Sequence, residues 1–105
     1  WQKAQDLAVD IYFIFQTSKD FSFKDQICRA AVSISNNIAE GFDRSSDADF
    51  CKFLYYSIAS CSEVKSMLHL AQRLNYISLI QKQKLLTSAD EISKIIRGLI
   101  KSLNK

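Results

Sequence analysis

The sequence predicts an all-α protein, an antiparallel up-down-up-down four-helix bundle, on three observations. The 105 residues contain no proline and only two glycines, Gly41 and Gly98, so almost nothing interrupts a helical run. Apolar residues recur at steps of three and four through most of the chain. Three short stretches, Ser18 to Phe23, Asp43 to Ser46 and Asn75 to Ser78, break that pattern and leave four periodic segments. At 48% hydrophobic, the chain is long enough for one core and too short for two, which predicts a single domain over residues 1–105.

The first helix is expected from about Trp1 to Thr17, with Ala4, Leu7, Ala8, Ile11, Ile14 and Phe15 on its apolar face. Val9 and Phe13 project to the far side. Off-face apolar residues four apart are either scattered surface residues or part of a subunit contact. The first residue is Trp1 rather than Met, which predicts a short preceding segment.

The second helix organises the rest. From Gln26 to Gly41, Ile27, Ala31, Ile34 and Ile38 stack on one face, and Cys28, Ala30, Val32, Ala39 and Phe42 widen the apolar arc past half the circumference at about 100° per residue. Such a helix is covered from two sides. Ser22 is placed to cap it, with Asp25 favouring the positive end of its dipole, and Gly41 is the residue expected just past its C-terminus. A polar strip of Arg29, Ser33, Asn36, Asn37 and Glu40 remains. It reads either as a solvated face or as a hydrogen-bonded network fixing register against the third helix or another subunit. The structural network is the preferred reading, because no glycine-rich loop or convergent basic cluster accompanies the strip.

The third helix is expected from Asp47 to Leu74, capped by Ser45 or Ser46. Phe50, Leu54, Ser57, Cys61, Val64, Leu68 and Ala71 form a heptad seam whose small central residues admit a close neighbour, the second helix. Tyr56, Met67 and Leu74 make a second apolar line away from it. The fourth helix runs from Leu79 to Leu103, with Leu85, Ala89, Ile92, Ile96, Leu99 and Leu103 inward, flanked by Ile95 and Ile100. On its other side Lys94, Arg97, Lys101 and Lys105 align, with Asp90 one turn before Lys94 as a candidate ion-pair partner.

The net charge is +3, far from that of a dedicated nucleic-acid binder. Residues 76–105 nevertheless hold six positive and two negative charges, against eight and nine in residues 1–75. The basic excess lies in the last helix, where the four cations either contact phosphates or form a solvated face. No aromatic residue interleaves with them in sequence, so base stacking has no obvious platform there. No apolar run is long enough for a membrane span and no signal pattern opens the chain, so a cytoplasmic protein is expected.

Chemistry has little to work with. Cys28, Cys51 and Cys61 are odd in number, lack paired metal-ligand spacing and lie in apolar patterns, as buried thiols in a reducing compartment would. The lone histidine, His69, sits near Lys65 and Arg73 on a helix surface. Glu40 and Glu63 are the two acidic residues nearest apolar faces, but Ser66 follows Glu63 where a di-metal bundle needs histidine. Neither an enzyme, a metal nor a cofactor is expected.

The run Ala31-Val32-Ser33-Ile34-Ser35-Asn36-Asn37-Ile38-Ala39-Glu40-Gly41 resembles the signature of the four-helix-bundle proteins first noticed as reading frames in intervening sequences of bacterial 23S ribosomal RNA genes. Trp1-Gln2-Lys3-Ala4, Gln26 to Ala31, Ser60-Cys61-Ser62-Glu63-Val64 and Asn75-Tyr76-Ile77 extend the likeness over nearly the whole chain. Ser35 stands where a proline is common, and Ala59 where a glycine is usual. The resemblance implies a ring, typically a homopentamer, which would give Val9, Phe13, Tyr56, Met67 and Leu74 an interface role. It implies no enzymatic activity. One similar group, the accessory proteins of diversity-generating retroelements, binds nucleic acid and a reverse transcriptase through basic ring surfaces. The expectation is therefore a homo-oligomer binding RNA or DNA through Lys94, Arg97, Lys101 and Lys105. The alternative is a scaffold that docks another protein.

Overall fold

The computed structural model describes residues 1–104. Its elements are α1 (Gln2–Phe15), α2 (Phe21–Phe42), α3 (Asp47–Arg73) and α4 (Leu79–Leu103), in the order the apolar periodicity predicts. Each helix packs on the next and α1 also meets α4, so α1 and α3 lie across one diagonal of the bundle. Side-chain bonds fix the directions. Gln72 meets Lys82 near one end of the α3–α4 pair, and Cys51 meets Asn104 at the other. Ser33 meets Ser60, while the site of Gly41 faces Phe50. Both pairs are antiparallel.

The core follows the seam of α3. Leu54, Ser57, Cys61, Val64, Leu68 and Ala71 are all fully enclosed, with Ile27, Ala31, Ile34 and Ile38 of α2 against them. The small residues at its centre carry hydroxyl or thiol groups whose hydrogen-bonding capacity has to be met inside the core. The Ser57 hydroxyl donates to the Ile34 carbonyl at 2.8 Å. The Cys61 thiol donates to the Ala89 carbonyl at 3.2 Å and accepts from the Ser93 hydroxyl at 3.2 Å. These bonds tie α3 to α2 on one side and to α4 on the other, so the bundle's register is set by polar contacts within an apolar interior.

The helix ends differ from expectation in two places. Residue Asp20, rather than Ser22, caps α2, which begins at Phe21. Its carboxylate accepts from the Phe23 amide at 3.1 Å and from the Tyr76 hydroxyl at 2.6 Å. One side chain thus joins the start of α2 to the α3–α4 turn. Gly41 lies inside α2 with ordinary helical φ. It is buried where α3 approaches, and a Cβ there would stand 2.7 Å from Cδ1 of Phe50, so glycine serves close packing and not the helix end. The left-handed residue that does end a helix is Asn75, at φ 62°. The Tyr76 amide donates to the Ala71 carbonyl and the Asn75 amide to Gln72, which is the Schellman pattern. Ser78 then opens α4 in a reciprocal capping box with Gln81.

Candidate functional site

The polar strip on α2 is a smaller network than its sequence length implied. The Asn37 amide donates to both the carbonyl and the hydroxyl of Ser33, at 2.8 and 2.9 Å, and the Ser33 hydroxyl shares a hydrogen bond with that of Ser60 on α3 at 2.9 Å. These residues are half-buried and fix α2 against α3. Arg29 and Asn36 are exposed outside that network. Glu40 turns outward to Arg44 at 2.9 Å, and the Arg44 guanidinium lies 4.4 Å from the centroid of the Phe53 ring. Glu63 is exposed on α3, so neither carboxylate that the sequence placed near the apolar faces points into the core. The buried Ser35 hydroxyl donates to the Val32 carbonyl at 3.1 Å, where a proline would lack the backbone donor that continues the helix.

The basic residues of α4 stand as the spacing placed them. Lys94, Arg97 and Lys101 are exposed along one face, spanning about 10 Å at 1.5 Å per residue. Lys105 lies outside the described residues. The expected partner of Lys94, Asp90, is instead held by Lys65 of α3 at 3.1 Å. None of Lys94, Arg97 and Lys101 joins an ion pair among the described residues, so their charge is free for a ligand. The fold adds a residue that the sequence pattern missed. Tyr55 of α3, 54% exposed, lines a shallow groove with Arg97, Lys101 and Asn104. Its only signal in the sequence was an aromatic side chain off the α3 seam.

A second surface lies along α1 and α2. Val9 and Phe13 are 51% and 64% exposed, and with Tyr12 they border an open groove whose other wall is Val32 and Asn36. Tyr56 and Leu74 are also exposed. Met67 is not. It is buried in the bundle at 8% exposure, because α3 turns that position toward its neighbours, so it cannot join an exposed apolar line. Ile95, read as a flank of the α4 core, is exposed instead.

All three cysteines are buried, and burial pushes the Cys28 thiol above its ordinary pKa, away from a reactive thiolate. His69 is exposed on α3. Among the described residues no group of three or more His, Cys, Asp or Glu side chains could hold a metal ion, and no helix is long and apolar enough to cross a membrane.

Comparison with known proteins finds a matching family and solved structures of the same fold. The family model described as 23S rRNA-intervening sequence protein matches residues 1–98. A crystal structure of a protein with unknown function, from the S23 ribosomal protein family of Bacteroides thetaiotaomicron VPI-5482, aligns with a TM-score of 0.89 at 31% identity. The alignment covers 95% of this chain and 96% of that one. No curated protein matches.

Proposed function

This chain belongs to the family of 23S rRNA-intervening sequence proteins, and from that premise we propose that it is a non-catalytic, cytoplasmic, bacterial homo-oligomer that binds RNA or DNA. The observation that carries the reading is the exposed row Lys94, Arg97 and Lys101, which joins no ion pair among the described residues and lies in the part of the chain that holds the whole basic excess. Three cations per protomer form a weak patch. A ring of five would repeat it fivefold and convert modest contacts into avidity. The exposed Val9, Tyr12 and Phe13 beside Val32 support self-association, since each still exposes about half its surface and burying that remainder is worth about 1 kcal/mol each.

The test is the salt dependence of binding to a labelled oligonucleotide. Each phosphate contact contributes about −0.7 to the slope of log K against log salt for a single strand. The triple variant Lys94→Gln, Arg97→Gln, Lys101→Gln should flatten that slope by about two units per engaged protomer. An unchanged slope removes the basic face from the function. The alternative is a scaffold that docks another protein, such as a reverse transcriptase. Leu79 and Ile80, 52% and 78% exposed where α4 begins, favour it. That reading predicts a co-purifying protein partner and no salt-sensitive affinity for nucleic acid.

A further inference from the structure

The groove beside α4 holds more than charge. Tyr55 comes from α3, more than forty positions before Arg97 in the chain, and antiparallel packing sets it beside Arg97 and Lys101. Tyr55 is more than half exposed, although it stands beside a well-packed seam where Leu54 and Ile58 are buried. An exposed aromatic face flanked by two cations is the arrangement that holds a base by stacking while neighbouring phosphates meet positive charge. Lys52, exposed one turn earlier on α3, adds a cation on the same side of that helix. At that same end of the groove the Asn104 side chain lines the same space, its amide oxygen accepting from the Cys51 thiol at 3.7 Å. The groove thus combines one stacking platform, at least two phosphate partners and one amide able to meet a base edge.

Resting on the nucleic-acid reading of the α4 face, we infer that the Tyr55–Arg97–Lys101 groove is a site for single-stranded nucleic acid, in which one unpaired base stacks on Tyr55 while Arg97 and Lys101 hold the flanking phosphates. Duplex cannot use it in the same way, because its bases are already stacked on one another. Charge supplies the affinity and its salt dependence; the ring supplies the preference for unpaired strands. The two contributions come from different helices and are separable by mutation.

Fluorescence anisotropy with a labelled 20-nucleotide oligouridylate and a duplex of equal length reads both. Wild type should bind the single strand more tightly than the duplex. Tyr55→Ala should weaken the single strand by about tenfold, within the range expected for one stacked base, and leave duplex affinity and salt slope unchanged. Tyr55→Phe should retain single-strand affinity, and Tyr55→Leu, which keeps apolar volume without a flat ring, should behave like Tyr55→Ala. Circular dichroism checks that each variant keeps its helices. If Tyr55→Ala or Tyr55→Leu binds the single strand like wild type while the triple basic variant still loses slope, the stacking site is wrong and the basic face stands. If wild type shows no salt-sensitive binding to either probe, the basic-face reading falls and the stacking site with it.

Discussion

Replacing the two glycines by alanine should change stability in opposite directions, and the difference can be worked from the packing. In a helix interior, glycine to alanine is worth about 1 kcal/mol in favour of folding, since glycine has the larger backbone entropy to lose. At Gly98 nothing lies within 4 Å of the new Cβ, so the full propensity gain should appear. At Gly41 the Cβ would lie 2.7 Å and 3.1 Å from two Phe50 ring carbons, and 3.3 Å from Cβ of Phe53. Carbon atoms settle at about 3.5–4.0 Å, so the ring must retreat by close to 1 Å. Its retreat is hindered by Phe42, whose ring centroid is 4.8 Å away. The Phe53 Cβ is fixed to the α3 backbone and cannot rotate aside. Overpacking of this kind costs about 1–3 kcal/mol, which outweighs the propensity gain. The net expectation is a loss of about 1 kcal/mol for Gly41→Ala and a gain of about 0.5–1 kcal/mol for Gly98→Ala.

Urea titration followed by circular dichroism, at one fixed protein concentration, measures both variants. A control adds Phe50→Leu to Gly41→Ala. The smaller side chain should recover part of the loss, giving a coupling of about 0.5 kcal/mol or more. If Gly41→Ala proves as stable as wild type, the close approach of α2 and α3 at Gly41 is wrong.

Three further outcomes test the joints of the bundle. Asn75→Ala should cost about 1 kcal/mol in thermal unfolding because it places a Cβ without a local hydrogen-bonding group in the left-handed region, while Asn75→Gly should be neutral or slightly stabilising. Ser60→Ala should cost about 0.5–1.5 kcal/mol, and the double variant with Ser33→Ala should cost less than the two single losses together, as a denaturant double-mutant cycle would show. The Tyr76 hydroxyl bond, followed by the Phe23 amide, holds the Asp20 carboxyl below its ordinary pKa, and the same Asp20 bond raises that of Tyr76. The Asp20 contribution is therefore present above the ordinary carboxylate pKa and lost as pH falls through the lowered value. The Tyr76 contribution is present below the ordinary tyrosine pKa and lost as pH rises through the raised one. Tyr76→Phe should move the Asp20 carboxyl titration, read by NMR, upward toward its ordinary value; no movement would remove this bond as the cause.

The helices and most of the core were legible because apolar spacing is a local property. The seam from Leu54 to Ala71 and the span of α4 follow from it directly. What the sequence obscured depends on partners distant in the chain. Gly41 near the end of an apolar run fits either a helix stop or a close approach, and only the position of Phe50 separates them. Ser22 and Asp20 are both plausible caps, and the hydroxyl that favours Asp20 lies 56 residues away on Tyr76. Asp90 has Lys94 one turn along its own helix, yet Lys65 reaches it from α3. Tyr55 is missed for the same reason, since its basic neighbours belong to α4. The family signature itself divides along these lines. Ser33 and Asn37 join Ser60 in a contact between helices, while Arg29 and Asn36 face outward beside the open α1–α2 groove.

Self-assembly is the claim on which the surface roles depend, and the absolute mass of nuclease-treated protein by light scattering, at low and high salt, tests it most directly. A homopentamer should give a mass near five times the 12.0 kDa chain in both conditions, with the Val9 and Phe13 face covered by a neighbour. A stable 12.0 kDa monomer would contradict it and leave the basic groove of α4 to act one copy at a time.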